Sequence, residues 1–364
     1  MLHIYRQIMA METFRPVVIA QKRENILQFP FDDVVVLRKS RIREVRRFWA
    51  KKIRRQPLQI SGREAARIVA ELRRCRARLL HIYFGHIGVH LLPLLQLEPL
   101  PVIVSFHGAD AMVDMDKPAF RAAMQAMLAR VRLLLVRSHS LGDRLVDLGC
   151  AREKIRLHRT GIPIKELSFV QREVPSDGAW KIVQACRLIP KKGLQTSLRA
   201  FTKFAHAFPA ATFTISGEGP LLADLQASAT ELGLLEKVRF TGFLPQRALR
   251  ELLYEAHFFL HPSELGTDGN QEGVPNSMLE AMATGLPVLA TTHGGIPEAV
   301  EHSVSGLLVH ERDDEALARA ILDLANDPLR FQAMSAAASH AVAEKFELHA
   351  QVRALEGFYR EAIT

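Results

Sequence analysis

Short apolar runs alternate with segments of helical periodicity along almost the whole chain. In the first half these runs cover 16–19, 34–37, 79–82, 102–105 and 133–136. In the second half they cover 181–184, 212–215, 238–240, 258–260, 287–290 and 306–309. The amphipathic segments between them predict helices over 61–78, 118–130, 193–208 and 220–233. Strands that alternate with helices in this way predict βαβ units and parallel sheets covered on both faces.

A stretch without clear periodicity divides this pattern into two halves. It covers residues 164–180 and includes the turn-like sequence Glu-Val-Pro-Ser-Asp-Gly at 173–178. We therefore expect two Rossmann-like, doubly wound α/β domains with a ligand cleft between them. The expected boundaries are an N-terminal domain over 1–164, a linker over 165–180, a C-terminal domain over 181–345 and a last helical segment over 346–364.

The start of the chain does not fit this scheme. A helical pattern over Leu2–Met11 comes first, and a strand follows only near residue 16. A Rossmann-like domain normally begins with a strand and a glycine-bearing loop. We therefore expect the first strand of the N-terminal domain to be missing, with the true start upstream.

The composition is that of a soluble protein of about two domains. The chain has 364 residues, of which 48% are hydrophobic and 24% are charged. No run approaches the ~18–20 apolar residues of a membrane-spanning helix, and the N-terminus lacks the order of a signal peptide. Three widely spaced cysteines, Cys75, Cys150 and Cys186, cannot form a disulfide framework or a metal site by themselves. The sequence therefore favours a reducing cytosol.

The positive charge is concentrated in the first half. Residues 1–175 carry 32 Lys and Arg against 16 Asp and Glu, whereas residues 176–364 carry 16 against 23. Between Arg38 and Arg55 there are ten basic residues and a single acid, Glu44. Such a segment attracts phosphates, so nucleic acid and anionic lipid are both candidate partners, and a solvated basic helix face is the alternative.

Two glutamates mark the densest candidate chemistry. Glu272 follows the predicted strand at 258–260, at the strand end where open α/β sheets bind ligands, and Glu280 lies about two helical turns further on. A carboxylate can grip a vicinal diol of ribose or hexose because it accepts two hydrogen bonds at once. The alternative is a helix that carries two incidental glutamates.

The helix that contains Glu280 has recognisable ends. We expect Asn276 or Ser277 to cap its start and Gly285 to end it. Backbone N–H groups near residues 275–278 are then free to meet an anion.

A second group of candidates follows the first strand of the C-terminal domain. Arg187 and Lys192 lie in Cys-Arg-Leu-Ile-Pro-Lys-Lys-Gly, directly before a helix that opens near Gly193. Fixed cations at that strand end suit a diphosphate and would stabilise a nucleoside diphosphate leaving group. A pair of surface cations is the alternative.

Weaker candidates lie at other strand ends. His107 and Gly108 follow the strand at 102–105 and are placed to approach a sugar, although a lone histidine is more often structural. The glycines of two further strand-end turns would let the backbone meet a nucleotide base: Gly217, Gly219 and Gly242. There is no Walker loop and no Gly-x-Gly-x-x-Gly after a strand, so ATPase and dehydrogenase activities lack their key residues.

Together these residues resemble the family 4 glycosyltransferases, which have the GT-B fold. The most specific part is Glu272-x7-Glu280 followed by Ala-Met-Ala-x-Gly-x-Pro-Val, and then Gly-Gly-Ile-Pro-Glu at 294–298 and Ser-Gly-Leu-Leu-Val at 305–309. Arg187, Lys192 and the His-Gly-x-Asp segment at 107–110 match in the expected order. Segments 81–85 and 106–110 are most similar to the enzymes of colanic acid and related exopolysaccharide biosynthesis.

The resemblance implies a retaining transfer of a hexose from a UDP- or GDP-sugar, with neither a metal nor a cofactor. It implies that Arg187 and Lys192 hold the diphosphate, that Glu280 holds the ribose, and that His107 and Glu272 act as catalytic residues on the donor sugar. The backbone contacts to that sugar would come from Gly273, Val274, Pro275 and Asn276. The base would lie near Gly217, Gly219 and Gly242. The last helix would cross back onto the N-terminal domain.

The resemblance also implies an acceptor. In this family the first domain binds a glycan or an acceptor attached to an undecaprenyl diphosphate carrier, so residues 38–55 are expected to hold the protein on the cytoplasmic face of the inner membrane. A sugar-nucleotide epimerase of the same fold and a catalytically impaired sugar-nucleotide binder remain the alternatives. A nucleic-acid-binding module is disfavoured because no known motif accompanies the basic segment. Cys186 stands where the wider family usually has glycine.

Overall fold

The computed structural model describes residues 2–37, 48, 56–112, 114–266 and 269–364. Except for Phe48, the basic segment 38–55 therefore lies outside the described residues. The chain forms two compact units, one of Met1–Gly161 with Leu348–Thr364 and the other of Ile162–Glu347.

The first unit is built around parallel strands and helices that alternate along the chain. Its elements up to residue 161 are α1 (Leu2–Met9), β1 (Val18–Ala20), β2 (Val34–Val36), α2 (Gly62–Arg74), β3 (Leu80–Tyr83), α3 (Gly85–His90), α4 (Leu92–Leu97), β4 (Val102–Phe106), α5 (Pro118–Arg130), β5 (Leu133–Val136), α6 (His139–Asp147) and β6 (Ile155–Leu157). Strands β1 and β2 form a parallel pair, and the other four form a parallel sheet in the order β3-β4-β5-β6.

The second unit contains one parallel sheet of six strands. Its elements are β7 (Lys181–Ala185), α7 (Leu194–Ala207), β8 (Thr212–Ser216), α8 (Leu222–Glu231), β9 (Val238–Gly242), α9 (Gln246–Glu255), β10 (Phe258–His261), α10 (Asn276–Ala283), β11 (Val288–Thr291), β12 (Gly306–Val309), α11 (Asp314–Ala325) and α12 (Pro328–Phe346). The order β12-β11-β10-β7-β8-β9 reverses direction between β7 and β10. This is the doubly wound arrangement, and the reversal is the switch point at which such sheets bind ligands.

The predicted strands and helices are confirmed, with small shifts at their ends. Helix α2, predicted over 61–78, stops at Arg74 because Arg76 takes a left-handed conformation with φ of 52°. One strand was not predicted, β6, whose Ile-Arg-Leu sequence is too short and too polar in its centre to stand out.

Alternate residues of β7, β10 and β11 in the second unit enter two separate hydrophobic cores. Ile182 and Phe258 point into a core covered by α7 and α11, whereas their neighbours Val183 and Phe259 point into a core covered by α10 and α12. This alternation follows from the two-residue repeat of a strand, and it buries the sheet on both faces.

The last helix of the chain, α13 (Leu348–Ile363), belongs to the first unit. Its residues Leu355, Tyr359 and Ala362 are buried against Ile103 of β4 and two leucines of β5, Leu133 and Leu135. Without α13, that face of the β3–β6 sheet would be exposed. An apolar sheet face needs such a cover, which explains why the last helix packs on the first unit.

A buried carboxylate on α13 fixes the start of the chain. The backbone N–H groups of Glu12, Thr13 and Phe14 donate to Oε1 of Glu356 at 2.9, 2.6 and 3.1 Å. Burial alone raises the pKa of Glu356, but these donors outweigh it and hold the pKa below its usual value. The turn after α1 is therefore tied to the C-terminal helix.

The stretch expected to be a linker over 165–180 packs onto the second unit. The guanidinium of Arg172 is buried and donates to the backbone carbonyls of Leu253 and Tyr254 at 3.1 and 2.6 Å. Trp180 is also buried, with its ring 4.9 Å from that of Phe258. The aperiodic sequence thus reflects an irregular but packed segment.

Among the residues that the structure describes, no helix combines the length and the apolar character needed to cross a bilayer.

Candidate functional site

The loop after β7 is held in place by a buried glutamine. Gln184 donates from Nε2 to the backbone carbonyl of Lys192 at 2.9 Å and accepts a hydrogen bond from Oγ of Ser197 at 2.6 Å. Gly193 closes the loop with φ of 60°, and a Cβ there would lie 1.7 Å from the carbonyl oxygen of Pro262. No side chain fits at that point, so the loop can approach the end of β10 only with glycine in this position.

This close approach brings two lysines to one carboxylate. Nζ of Lys192 lies 2.5 Å from Oε2 of Glu272, and Nζ of Lys191 lies 3.5 Å from the same oxygen. Lys191 also donates to Oδ1 of Asn270 at 3.1 Å and to the carbonyl oxygen of Gln271 at 3.0 Å. Because Lys192 follows β7 and Glu272 follows β10, the three charges meet at the switch point of the sheet.

Electrostatics keep Glu272 ionised. Burial raises its pKa, but the ammonium groups of Lys192 and Lys191 outweigh burial and bring the pKa of Glu272 to about 2. Burial also lowers the pKa of Lys191, against the opposing effect of Glu272. The site therefore carries a net positive charge from its two lysines and single carboxylate.

The backbone around Glu272 is fixed from the opposite side by a histidine. The N–H of Glu272 donates to Nε2 of His293 at 3.0 Å, while Nδ1 of His293 lies 2.6 Å from Oε1 of Glu311. Since Nε2 accepts, the proton of the neutral ring lies on Nδ1 and is donated to Glu311. Gly294 completes this contact, because a Cβ there would lie 2.1 Å from the carbonyl oxygen of Glu272.

Helix α10 begins beside the end of β7. The expected caps are wrong: Pro275 is the N-cap and provides no side-chain hydrogen bond, whereas Oγ of Ser277 donates to the carbonyl oxygen of Ala185 at 2.6 Å. That bond joins the start of α10 to the residue two positions before Arg187. The end of the helix is as predicted, since Gly285 has φ of 87° directly after it.

The remaining predicted donor-site residues lie on the same unit. Glu280 is buried in the second turn of α10, and the side chain of Arg187 is exposed and forms no hydrogen bond or ion pair with any residue that the structure describes. Gly273, Val274, Pro275 and Asn276 form the chain that runs from Glu272 into α10. The structure therefore brings the candidate cations and carboxylates to one edge of the sheet.

The glycines predicted near a base also allow close packing between strand-end loops. Gly217 has φ of 139°, and a Cβ there would lie 1.8 Å from the carbonyl oxygen of Cys186. A Cβ on Gly219 would lie 2.3 Å from the carbonyl oxygen of Leu188, and the N–H of Gly217 donates to the carbonyl of Gly242 at 2.9 Å. These close contacts pack the loops after β8 and β9 beside the loop that carries Arg187. Whether the glycines also touch a base stays a prediction.

His107 lies on the first unit, at the end of β4. Its backbone N–H donates to Oδ1 of Asp110 at 2.9 Å, and the N–H of Gly85 donates to Oδ2 of the same buried carboxylate at 2.8 Å. The half-buried imidazole lies 4.5 Å from the ring of Phe84. Burial, followed by the charge of Arg137, lowers the pKa of His107 well below its usual value, so the ring is neutral at pH 7.

Two family models match the chain, one to each part. The model described as "Glycosyltransferase Family 4" matches residues 8–166, and the model described as "Glycosyl transferases group 1" matches residues 168–341. The chain is also 33% identical over 276 residues to the amylovoran biosynthesis glycosyltransferase AmsK of Erwinia amylovora. The aligned region covers 75% of this chain and 68% of that protein.

The chain belongs to the family 4 glycosyltransferases.

A second relative of this glycosyltransferase is the putative colanic acid biosynthesis glycosyltransferase WcaL of Escherichia coli K12, at 34% identity over 68% of this chain and 61% of the relative. The chain thus spans about two thirds of the length of these relatives. Among solved structures, Anabaena Alr3699/HepE in complex with UDP and glucose superposes with a TM-score of 0.79 at 18% identity, covering 99% and 95% of the two chains. The likeness shows the fold, and the prediction of two parallel-sheet α/β domains of the GT-B type is confirmed.

Several residues that hold the candidate site together were not predicted to do so. They are Gln184, Lys191, Ser277, His293 and Glu311. Lys191 could have been predicted from the sequence, because Pro-Lys-Lys-Gly after a strand places two cations at the strand end. The others act through contacts between residues that are distant in sequence, for which the sequence gives no spacing rule.

The low pKa of Glu272 predicts how its contribution to stability depends on pH. Replacing Glu272 by Gln leaves two buried ammonium groups without their carboxylate, and we expect a loss of about 3 kcal/mol in the free energy of unfolding at pH 7. Because the folded-state pKa of about 2 lies below the unfolded value of ~4.3, this contribution is complete above about pH 5. It disappears as the pH falls towards 2. Urea unfolding of both proteins between pH 7 and pH 3 measures this difference.

The control is Glu264→Gln in the same loop, since Glu264 pairs with the exposed Arg312 at 3.2 Å. We expect this control to lose no more than about 1 kcal/mol. A Glu272→Gln protein as stable as the control at pH 7 would contradict the assignment of Glu272 as the partner of both lysines.

Proposed function

We propose that this glycosyltransferase moves a hexosyl group from a nucleoside diphosphate sugar to a glycan or lipid-linked acceptor in the biosynthesis of an exopolysaccharide. The observation that carries the proposal is the cluster of Lys191, Lys192 and Glu272 at the switch point of the second unit, with the exposed Arg187 on the same loop as the two lysines. Such an arrangement offers positive charge to a diphosphate and a carboxylate to a sugar.

In this proposal Arg187 and Lys192 bind the diphosphate of the donor. Arg187 is exposed, and its planar guanidinium matches two phosphate oxygens, whereas the ammonium of Lys192 acts as a point charge. Both cations would also stabilise the charge that develops on the departing diphosphate, which is the role that a metal ion plays in other transferases. We therefore propose a metal-independent reaction.

Glu280 and Glu272 are proposed to hold the hydroxyl groups of the donor. Glu280, in the second turn of α10, would accept two hydrogen bonds from the ribose diol, and Glu272 would accept from the hexose. The chain over 273–276 leads directly into α10, so its backbone lies next to Glu272 and is proposed to contact the same sugar. The loops of Gly217, Gly219 and Gly242 are proposed to receive the base.

The proposed transfer retains the configuration of the sugar. The bond between the anomeric carbon and the diphosphate oxygen breaks, the acceptor hydroxyl forms a bond on the same face, and its proton passes to an oxygen of the departing diphosphate. The two fixed cations stabilise that diphosphate throughout. His107, neutral at pH 7, is proposed to hydrogen-bond the donor sugar near the reacting carbon from the first unit.

The relatives leave two classes of donor for this proposal. The solved neighbour HepE is described in complexes with UDP, glucose and UDP-glucose. By contrast, a mannosyltransferase of Mycolicibacterium smegmatis that is 36% identical over 160 residues is described as GDP-mannose-dependent. Amylovoran and colanic acid in the names of other relatives favour an exopolysaccharide as the product. UDP- and GDP-hexoses are therefore the donors to test.

A thermal-shift screen identifies the donor and tests Glu280. We expect one series among UDP, GDP, ADP and their hexose conjugates to raise Tm, since a ligand at 100 times its Kd adds about 2.7 kcal/mol to the stability. Glu280→Ala should weaken binding of the free nucleotide about tenfold or more, whereas Glu272→Ala should chiefly weaken binding of the hexose conjugate. Glu251→Ala, at an exposed position of α9, is the control. Equal nucleotide affinity in wild type and Glu280→Ala would refute the ribose assignment.

Retention and metal independence are tested on the product. With the donor identified, we expect full transfer activity in the presence of EDTA and the same anomeric configuration in donor and product. The anomeric proton resonances of the two compounds give this comparison by NMR. Loss of activity in EDTA that Mg²⁺ or Mn²⁺ restores would contradict a metal-independent reaction, and an inverted product would contradict retention. Product formed from the donor without any acceptor would indicate an epimerase instead.

We also propose a cytoplasmic enzyme that binds the cytoplasmic face of the inner membrane through residues 38–55. The ten basic residues of this segment would each gain up to ~1 kcal/mol near an anionic leaflet. We expect co-sedimentation with vesicles of anionic phospholipid at low salt, and release at high salt. Replacing Lys51, Lys52, Arg54 and Arg55 by Gln should reduce binding, and neutral vesicles are the control. Failure to bind anionic vesicles at low salt would exclude this mode of attachment.

A further inference from the structure

Arg137 is a buried arginine of the first unit that the proposed reaction does not use. It follows β5 directly, and only 4% of its surface is exposed. Its Nη1 donates to the backbone carbonyls of His158 and Arg159, each at 3.0 Å, and lies 3.3 Å from Nδ1 of His158. One end of the guanidinium is therefore anchored to the chain after β6.

The other edge of this guanidinium has no acceptor. Nε and Nη2 of Arg137 are both buried, and neither forms a hydrogen bond with any residue that the structure describes. These two nitrogens form the fork that binds two oxygens of one anion. Arg15 and Arg156 of this chain use that edge on Asp33 and Glu361, with Nε to oxygen distances of 3.0 and 3.2 Å. Arg137 thus presents the same recognition edge without a protein carboxylate.

No carboxylate among the described residues pairs directly with Arg137, although the charge of Asp110 raises its pKa. The nearby acid, Asp110, is already occupied by the N–H groups of Gly85 and His107. Burial lowers the pKa of Arg137 to about 10, a value that still leaves it charged at neutral pH. A buried cation without a partner anion is costly, so the fold holds this arginine at an energetic disadvantage that an anionic ligand would relieve.

Two histidines extend the same patch. Nε2 of His107 and Nε2 of His3 are buried and meet no hydrogen-bond partner among the described residues, and their rings lie 5.2 Å apart. Burial lowers the pKa of both rings, and the positive charge of Arg137 lowers it further. A neutral imidazole can donate a hydrogen bond to an oxyanion from one nitrogen.

We propose that the Nε and Nη2 edge of Arg137, together with Nε2 of His107 and Nε2 of His3, binds an oxyanion carried by the acceptor. The inference rests on the proposed function and on the expectation, stated from the sequence, that the N-terminal domain binds the acceptor. Two sources share this chemistry, namely the phosphate that links a glycan to a carrier and the carboxylate of an acidic sugar. An arginine fork accepts either anion, so the experiment has to separate them.

The experiment is calorimetric titration of the protein after its donor site has been saturated with the nucleoside diphosphate that it binds. Filling that site removes Arg187 and Lys192 as competing anion binders. The probes are glucose 1-phosphate, glucuronate and glucose. We expect one of the two anionic sugars to bind at least about tenfold more tightly than glucose, and the preferred anion identifies the source.

Three variants test whether Arg137 binds the anion. Arg137→Lys keeps the charge but loses the fork, so we expect at least a tenfold loss of affinity for the preferred anion and unchanged nucleotide binding. Arg156→Lys, which alters the same kind of fork on the ion pair with Glu361, should bind the anion like wild type. His3→Phe keeps the ring and removes Nε2, and should give a smaller loss.

The outcomes separate this inference from the proposed function. If wild type binds no nucleotide at all, the proposed function fails. If nucleotide binds but glucose 1-phosphate and glucuronate bind no better than glucose, or bind equally well to Arg137→Lys, the inference about Arg137 is wrong. Should Arg137→Lys fail to fold, the anion preference of wild type and its reduction in His3→Phe decide, and wild-type affinity in His3→Phe overturns the inference.

Discussion

The ion pair between Lys192 and Glu272 is the contact on which the candidate donor site depends. It joins residues 80 positions apart, one on the loop after β7 and one on the loop after β10. A buried pair of this kind gains little by itself, because desolvation offsets much of the attraction. The surrounding structure therefore has to hold both partners in place, and Gln184 and His293 do so through hydrogen bonds to the backbone on each side.

The two lysines are not equivalent in this arrangement. Lys191 is fixed by oxygens of Asn270 and Gln271 in addition to Glu272, so its side chain is anchored to the loop that carries the carboxylate. Lys192 makes its close contact with Glu272 alone and otherwise lies 3.5 Å from Nε2 of His261. A diphosphate would compete for Lys192 much more easily than for Lys191. Glu272 would then keep one compensating cation while its second oxygen turns to a sugar hydroxyl.

The elements were predictable from sequence because each depends on local patterns. Eleven strands produced apolar runs, whereas β6 did not, since its central residue is the charged Arg156, which pairs with Glu361 on the distant helix α13. The positions of Arg187, Lys192 and Glu272 near strand ends were predictable for the same reason, because the first two follow β7 and the third follows β10. Their contacts were not, since these follow from β7 lying beside β10 in the sheet. The expected helix cap failed likewise because Ser277 bonds to Ala185, a residue 92 positions away.

In both units a buried polar side chain hydrogen-bonds the backbone of a loop that presents another side chain at a strand end. In the second unit the buried amide of Gln184 binds the backbone of the loop after β7, which leaves the side chain of Arg187 exposed. In the first unit the buried carboxylate of Asp110 binds the backbone N–H of His107, which leaves the imidazole without that constraint. The backbone of each loop is thus fixed by a residue that needs no ligand. The chemistry of the presented side chain can therefore change with the substrate while the loop keeps its shape.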